Sequence, residues 1–78
     1  MSENEQKILE LLRAYNEDIP ADITVNLLHG GYIDSFDIVN IVADLEENFH
    51  IEIDPEDIVP ENFDSVVHMG GLLKKYSR

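Results

Sequence analysis

Asp34-Ser35 sits where a glycine-containing loop gives way to a strongly periodic helical repeat. Aspartate is a good N-cap, so Ser35 falls at the first helical position. Gly30-Gly31, just upstream, supply backbone that permits a turn. A hydroxyl on the rim of a helix N-terminus is exposed. Free N–H groups and the helix dipole there favour an anion such as a phosphate. Taken alone, the run Gly31 to Phe36 is equally compatible with an ordinary serine beside its cap.

Other chemistry finds no constellation. His29, His50 and His68 lack metal-ligand spacing, and no Asp-x-Asp-x-Asp-Gly calcium loop is present. Gly31 to Ser35 does not form the Gly-x-Ser-x-Gly nucleophile elbow, and nothing marks a base beside the serine. The carboxylates are too numerous to single out a catalytic pair. The expectation is a protein that is not an enzyme and binds no metal.

The elements that must position Ser35 are helical. Ser2-x-x-Glu5 reads as a capping box, and Ile8, Leu11, Leu12 and Tyr15 mark the buried face of a helix ending near Tyr15 or Asn16. Residues Glu17 to Ile33 form a long connection, with helix disfavoured at Ile19 by Pro20 and a short helical turn possible over Val25 to His29. A second helix is expected from Ser35 to His50. At about 100° per residue, Ile38, Ile41, Val42, Leu45 and Phe49 share its core face. Phe36, Val39 and Ala43 fall nearly opposite, with Asn40, Glu46 and Glu47. That apolar strip flanked by carboxylates suits docking, unless Phe36 tucks against the preceding loop.

Asp54-Pro55-Glu56-Asp57 has the form of a helix start, with Asp54 as N-cap, and Pro60 is expected to end it after barely a turn. Ile53 and Ile58 should point inward. The last helix is expected to begin at Asp64 as N-cap, with Val66, Met69, Leu73 and Tyr76 inward. Gly70-Gly71 lies inside it at about 1 kcal/mol per glycine. Lys74, Lys75 and Arg78 suit its C-terminal dipole.

The 78 residues make one small domain, 1–78, and contain no cysteine, so any thiol chemistry must come from a cofactor. The formal net charge is −12, and no Lys or Arg occurs between Asp34 and Asp64. Such a field repels nucleic acid and anionic membrane and attracts basic partners, or it serves solubility alone. No basic n-region, apolar leader or membrane-length run is present, so a cytoplasmic location without membrane insertion is the expectation.

The run Gly31 to Phe36, followed by Leu45-Glu46-Glu47-Asn48-Phe49, Ile53-Asp54-Pro55-Glu56-Asp57 and Pro60-Glu61-Asn62-Phe63-Asp64-Ser65-Val66, resembles the acyl carrier protein family. In that family the serine of an Asp-Ser-Leu motif carries 4′-phosphopantetheine as a phosphodiester. Here Ser35 matches that serine, and Phe36 replaces the leucine. The resemblance implies an all-α carrier-protein bundle of four helices, three longer and a short third one. It implies a discrete, monomeric carrier holding acyl groups as thioesters on an arm at Ser35, with Asp34 helping to position the serine. A phosphopantetheinyl transferase would attach the arm, and loading and processing enzymes with basic patches would dock on Phe36, Val39, Asn40, Ala43, Glu46 and Glu47. Asn40 stands where many fatty-acid carriers have glutamate. Phe36 and the Pro60 to Ser65 run resemble aminoacyl, D-alanyl or peptidyl carriers, so fatty-acid and secondary-metabolite pathways both stay open. The rival from another class is an unmodified acidic helical adaptor that binds a basic partner.

Overall fold

The computed structural model describes residues 1–76. It is an all-α bundle: α1 (Glu3–Tyr15), α2 (Ser35–Phe49), a 3₁₀ turn (Pro55–Asp57), the short α3 (Pro60–Phe63) and α4 (Val66–Tyr76). α1 packs chiefly on α4, α3 lies against α4, and α2 touches both α1 and α3.

α1 opens on the expected box: Ser2 Oγ accepts the Glu5 N–H at 3.1 Å, and Glu5 Oε1 accepts the Ser2 N–H at 2.8 Å. Its buried face is Ile8, Leu9 and Leu12. Leu11 is only half-buried and Tyr15 is 41% exposed. The true stripe is thus rotated from the expected one, because the helix lies with its Leu9 side toward its neighbours.

α2 buries Ile38, Ile41, Val42 and Leu45. It ends one residue earlier than expected, since His50 turns left-handed (φ 55°) and both His50 and Ile51 N–H groups donate to the Glu46 carbonyl. α2 has no basic residue in its own last turn. Lys7 of α1 supplies one, donating to the Asn48 carbonyl at 3.1 Å with its ammonium 4.8 Å from the Phe49 ring centre.

The acidic segment departs most from expectation. Asp54 precedes the 3₁₀ turn without a side-chain cap, and Pro60 opens α3 rather than ending a helix. Proline at N1 is compatible with either role locally. The arbiter is Phe63, which α3 drives fully into the core. Ile53 is buried, but Ile58 is 37% exposed, because α3 rather than the 3₁₀ turn covers this side of the core. The cap of α4 is Ser65, whose Oγ accepts the His68 N–H at 3.1 Å, so the expected Asp64 is one residue early. Asp64 instead takes the Leu27 N–H on its carbonyl at 2.6 Å and pairs through its carboxylate with His68. Val66, Met69 and Leu73 point inward as expected, joined by Leu72, while Tyr76 is half-buried. Lys74 and Lys75 lie in the last turn of α4, and Arg78 lies outside the described residues.

The long connection is pinned rather than loose. Ile19, Leu27 and Ile33 are buried, and Val67 N–H donates to the Ile23 carbonyl at 3.2 Å. Over Val25 to His29 the chain forms hydrogen-bonded turns, with Gly30 N–H to the Asn26 carbonyl at 3.0 Å, and no helix.

Candidate functional site

The loop reaches Ser35 through a fixed path. Gly31 takes φ 79°, a left-handed value open to glycine. A Cβ on Gly30 would lie 2.8 Å from the Tyr32 ring, so the ring can close over the backbone there only because Gly30 has none. Tyr32 and Ile33 N–H groups both donate to the Leu27 carbonyl, at 2.9 and 3.2 Å. Ile33 then plugs into the core and Asp34 turns the chain into α2.

Asp34 is the N-cap, as expected. Its Oδ1 accepts the Phe36 N–H at 2.9 Å and the Asp37 N–H at 3.0 Å. Asp37 returns the bond, its Oδ2 accepting the Asp34 N–H at 2.9 Å, which completes a capping box built from two aspartates. Its Oδ1 accepts the hydroxyl of Tyr15, from the last turn of α1. That phenol, followed by the Asp34 N–H, holds the Asp37 carboxyl below the usual carboxylate range. The same bond pushes the Tyr15 phenol up. Asn16 Nδ2 donates to the Tyr32 carbonyl at 3.1 Å. Ser35 stands among these bonds at N1, exposed to solvent.

Sequence reasoning missed Tyr15, Asn16 and Asp37 here. Asp34-x-x-Asp37 is the same spacing as Ser2-x-x-Glu5, and that signal was legible. The reach of Tyr15 and Asn16 from α1 was not, because it depends on how two helices cross.

The opposite face of α2 carries the expected strip. Phe36 is 83% and Val39 68% exposed, so Phe36 stands free of the preceding loop. Asn40, Ala43 and Glu47 are exposed beside them. Glu46 is half-buried, and its Oε2 accepts the Ile53 N–H at 2.9 Å, so it also fastens the chain after α2. No group of three or more His, Cys, Asp or Glu side chains suited to a metal ion occurs among the described residues. Among them, no helix is long and apolar enough to cross a membrane.

The arrangement suits a phosphate ester. The serine hydroxyl is accessible, it lies at a helix N-terminus, and the neighbouring carboxylates are already turned onto backbone N–H groups and a phenol. Comparisons with curated proteins and with solved structures returned no significant match. A family model described as "phosphopantetheine attachment site" matches residues 6–73, which include α2, α3 and all but the ends of α1 and α4. The chain therefore belongs to the phosphopantetheine-binding family of carrier domains, whose prosthetic group is 4′-phosphopantetheine.

Proposed function

We propose that Ser35 is the tether, and that the chain carries acyl groups as thioesters on a 4′-phosphopantetheine arm esterified there. The observation that carries this reading is an exposed hydroxyl at N1 of α2, inside the family match, beside a cap that leaves the hydroxyl free. A separate transferase would use coenzyme A as donor. The Ser35 oxygen forms a bond to the phosphorus nearest the pantetheine, and the pyrophosphate bond to that phosphorus breaks. Adenosine 3′,5′-bisphosphate leaves, and the serine proton passes to a base on the transferase. When bound, the group supplies a terminal thiol, which this cysteine-free chain lacks.

The chain's own residues hold and present. Asp34 fixes the start of α2 and hence the position of Ser35. Phe36, Val39 and Ala43 offer an apolar contact, with Asn40, Glu46 and Glu47 around it. Enzymes with basic patches would be steered to this acidic surface and released quickly, as serial handling of one thioester requires. In this reading the chain positions and presents the thioester, and the partner enzymes act on it.

Intact mass after incubation with a transferase and coenzyme A tests the reading. One phosphopantetheine is expected on the wild-type chain and none on Ser35→Ala. Unchanged modification of Ser35→Ala removes the assignment, and an unmodified wild-type chain favours an acidic adaptor. A second cargo is favoured by one observation: Phe36, 83% exposed, stands beside the tether where it resembles aminoacyl and D-alanyl carriers. Loading by an adenylating enzyme rather than by an acyl-thioester transferase would select that cargo.

A further inference from the structure

Ser35 lies between two carboxylates that grip the backbone on either side of it. Asp34 holds the N–H groups of Phe36 and Asp37, and Asp37 holds the N–H of Asp34. The box of α1 closes with the same pattern, Ser2 to Glu5, from residues of its own first turn. The box of α2 has something more. The second oxygen of Asp37 is bonded to the Tyr15 hydroxyl from another helix. The next residue, Asn16, donates to the Tyr32 carbonyl just upstream, at 3.1 Å. Two consecutive residues at the end of α1 therefore anchor the chain before and after Ser35.

We infer, on the footing that Ser35 is the tether, that Tyr15 is a positioning residue for its modification, fixing through Asp37 the direction in which the hydroxyl is presented. Without the phenol, Asp37 gains access to its other χ1 rotamers. The Asp34 N–H then loses its acceptor for part of the time, and the first turn of α2 frays. The Ser35 oxygen spends less time in the orientation that in-line attack on phosphorus requires. Val39, Asn40, Ala43 and Glu47 lie beyond that turn, so most of the exposed strip keeps its place and recognition of the chain is preserved there. The effect falls on turnover and not on apparent affinity.

The test is the transfer kinetics of the apo chain with a phosphopantetheinyl transferase and coenzyme A, read by intact mass. Three variants are compared with wild type: Tyr15→Phe, Tyr76→Phe and Ser35→Ala. Tyr76 makes the same kind of tyrosine–aspartate bond, to Asp57, on α4. It serves as the control for a role in stability alone. Tyr15→Phe is expected to lower kcat on the order of threefold to tenfold at unchanged KM for the carrier. Tyr76→Phe is expected to keep the wild-type kcat. Wild-type kcat in Tyr15→Phe overturns the inference, as does a loss that falls in KM or that Tyr76→Phe reproduces. If Ser35→Ala is modified like wild type, the tether assignment itself fails. If Ser35→Ala stays unmodified while Tyr15→Phe is unimpaired, only the positioning role fails.

Discussion

Two tyrosine–aspartate bonds show how one side-chain pair does different work in different places. At Ser35 the pair is Tyr15 and Asp37, and it ties the start of α2 to α1. At the far end of α4 it is Tyr76 and Asp57, joined by Lys75, whose ammonium lies 3.0 and 2.9 Å from the two oxygens of Asp57. Tyr76 also accepts the Asp54 N–H at 3.0 Å, so the 3₁₀ turn is stapled to α4. The Tyr76 phenol and then Lys75 hold the Asp57 carboxyl below its usual range. Asp57 in turn raises both Lys75 and Tyr76. A depressed acid contributes stability above its unfolded pKa of about 3.9 and loses it as pH falls through the lower folded value. A raised phenol or ammonium contributes below its unfolded value of about 10 and loses it as pH rises through the higher folded one. The stability deficit of Tyr76→Phe should therefore be greatest between about pH 4 and pH 10 and shrink on both sides. Denaturation across pH checks this. A deficit that is constant with pH would mean that the bond to Asp57 is not what stabilises the fold here.

At the scale of elements, the glycine pair in α4 separates into two cases. A Cβ on Gly70 would lie 3.0 Å from Glu5 Cγ, so Gly70 allows α4 to approach α1. Glu5 is not free to move aside, because its carboxylate holds the Ser2 N–H. Gly71 faces open space in the middle of the helix. Gly71→Ala should raise stability by about 1 kcal/mol, or about 4–8 °C in Tm. Gly70→Ala should fall short of that gain by on the order of 1 kcal/mol, because the capping box must loosen to admit the methyl. Thermal melts of the two variants decide it. Equal melting temperatures would show that Glu5 yields freely. The same scale explains α3: four residues cannot hold as a helix alone, and this one persists because Phe63 is fully buried beneath it.

At the scale of the whole molecule, the charge is the dominant long-range term. Net charge is −12, and from Asp34 to Asp64 no Lys or Arg is present to offset it. The structure folds some basic groups back onto that half: Lys7 reaches the end of α2, and Lys75 reaches Asp57. Among the described residues, most of its carboxylates remain at the surface without such a partner, so self-repulsion outweighs the few attractive pairs that salt also screens. Melting temperature should rise between low and physiological ionic strength, and a flat or falling curve would reject this.

Much was set by local spacing. The cap of α1, the Asp34 cap, the apolar face of α2 and its exposed opposite strip follow from residues within a turn or two of each other. Such positions are dictated by helix period and by free N–H groups, which the chain carries wherever it folds. Other features waited on the tertiary structure. Whether Pro60 ends one helix or opens another was decided by Phe63 finding the core. The rotation of α1, the pairing of Lys7 with the end of α2, and the anchoring of Ser35 through Tyr15 and Asn16 were decided by how helices cross. Each joins residues distant in sequence, and their geometry exists only once packing has brought the elements together.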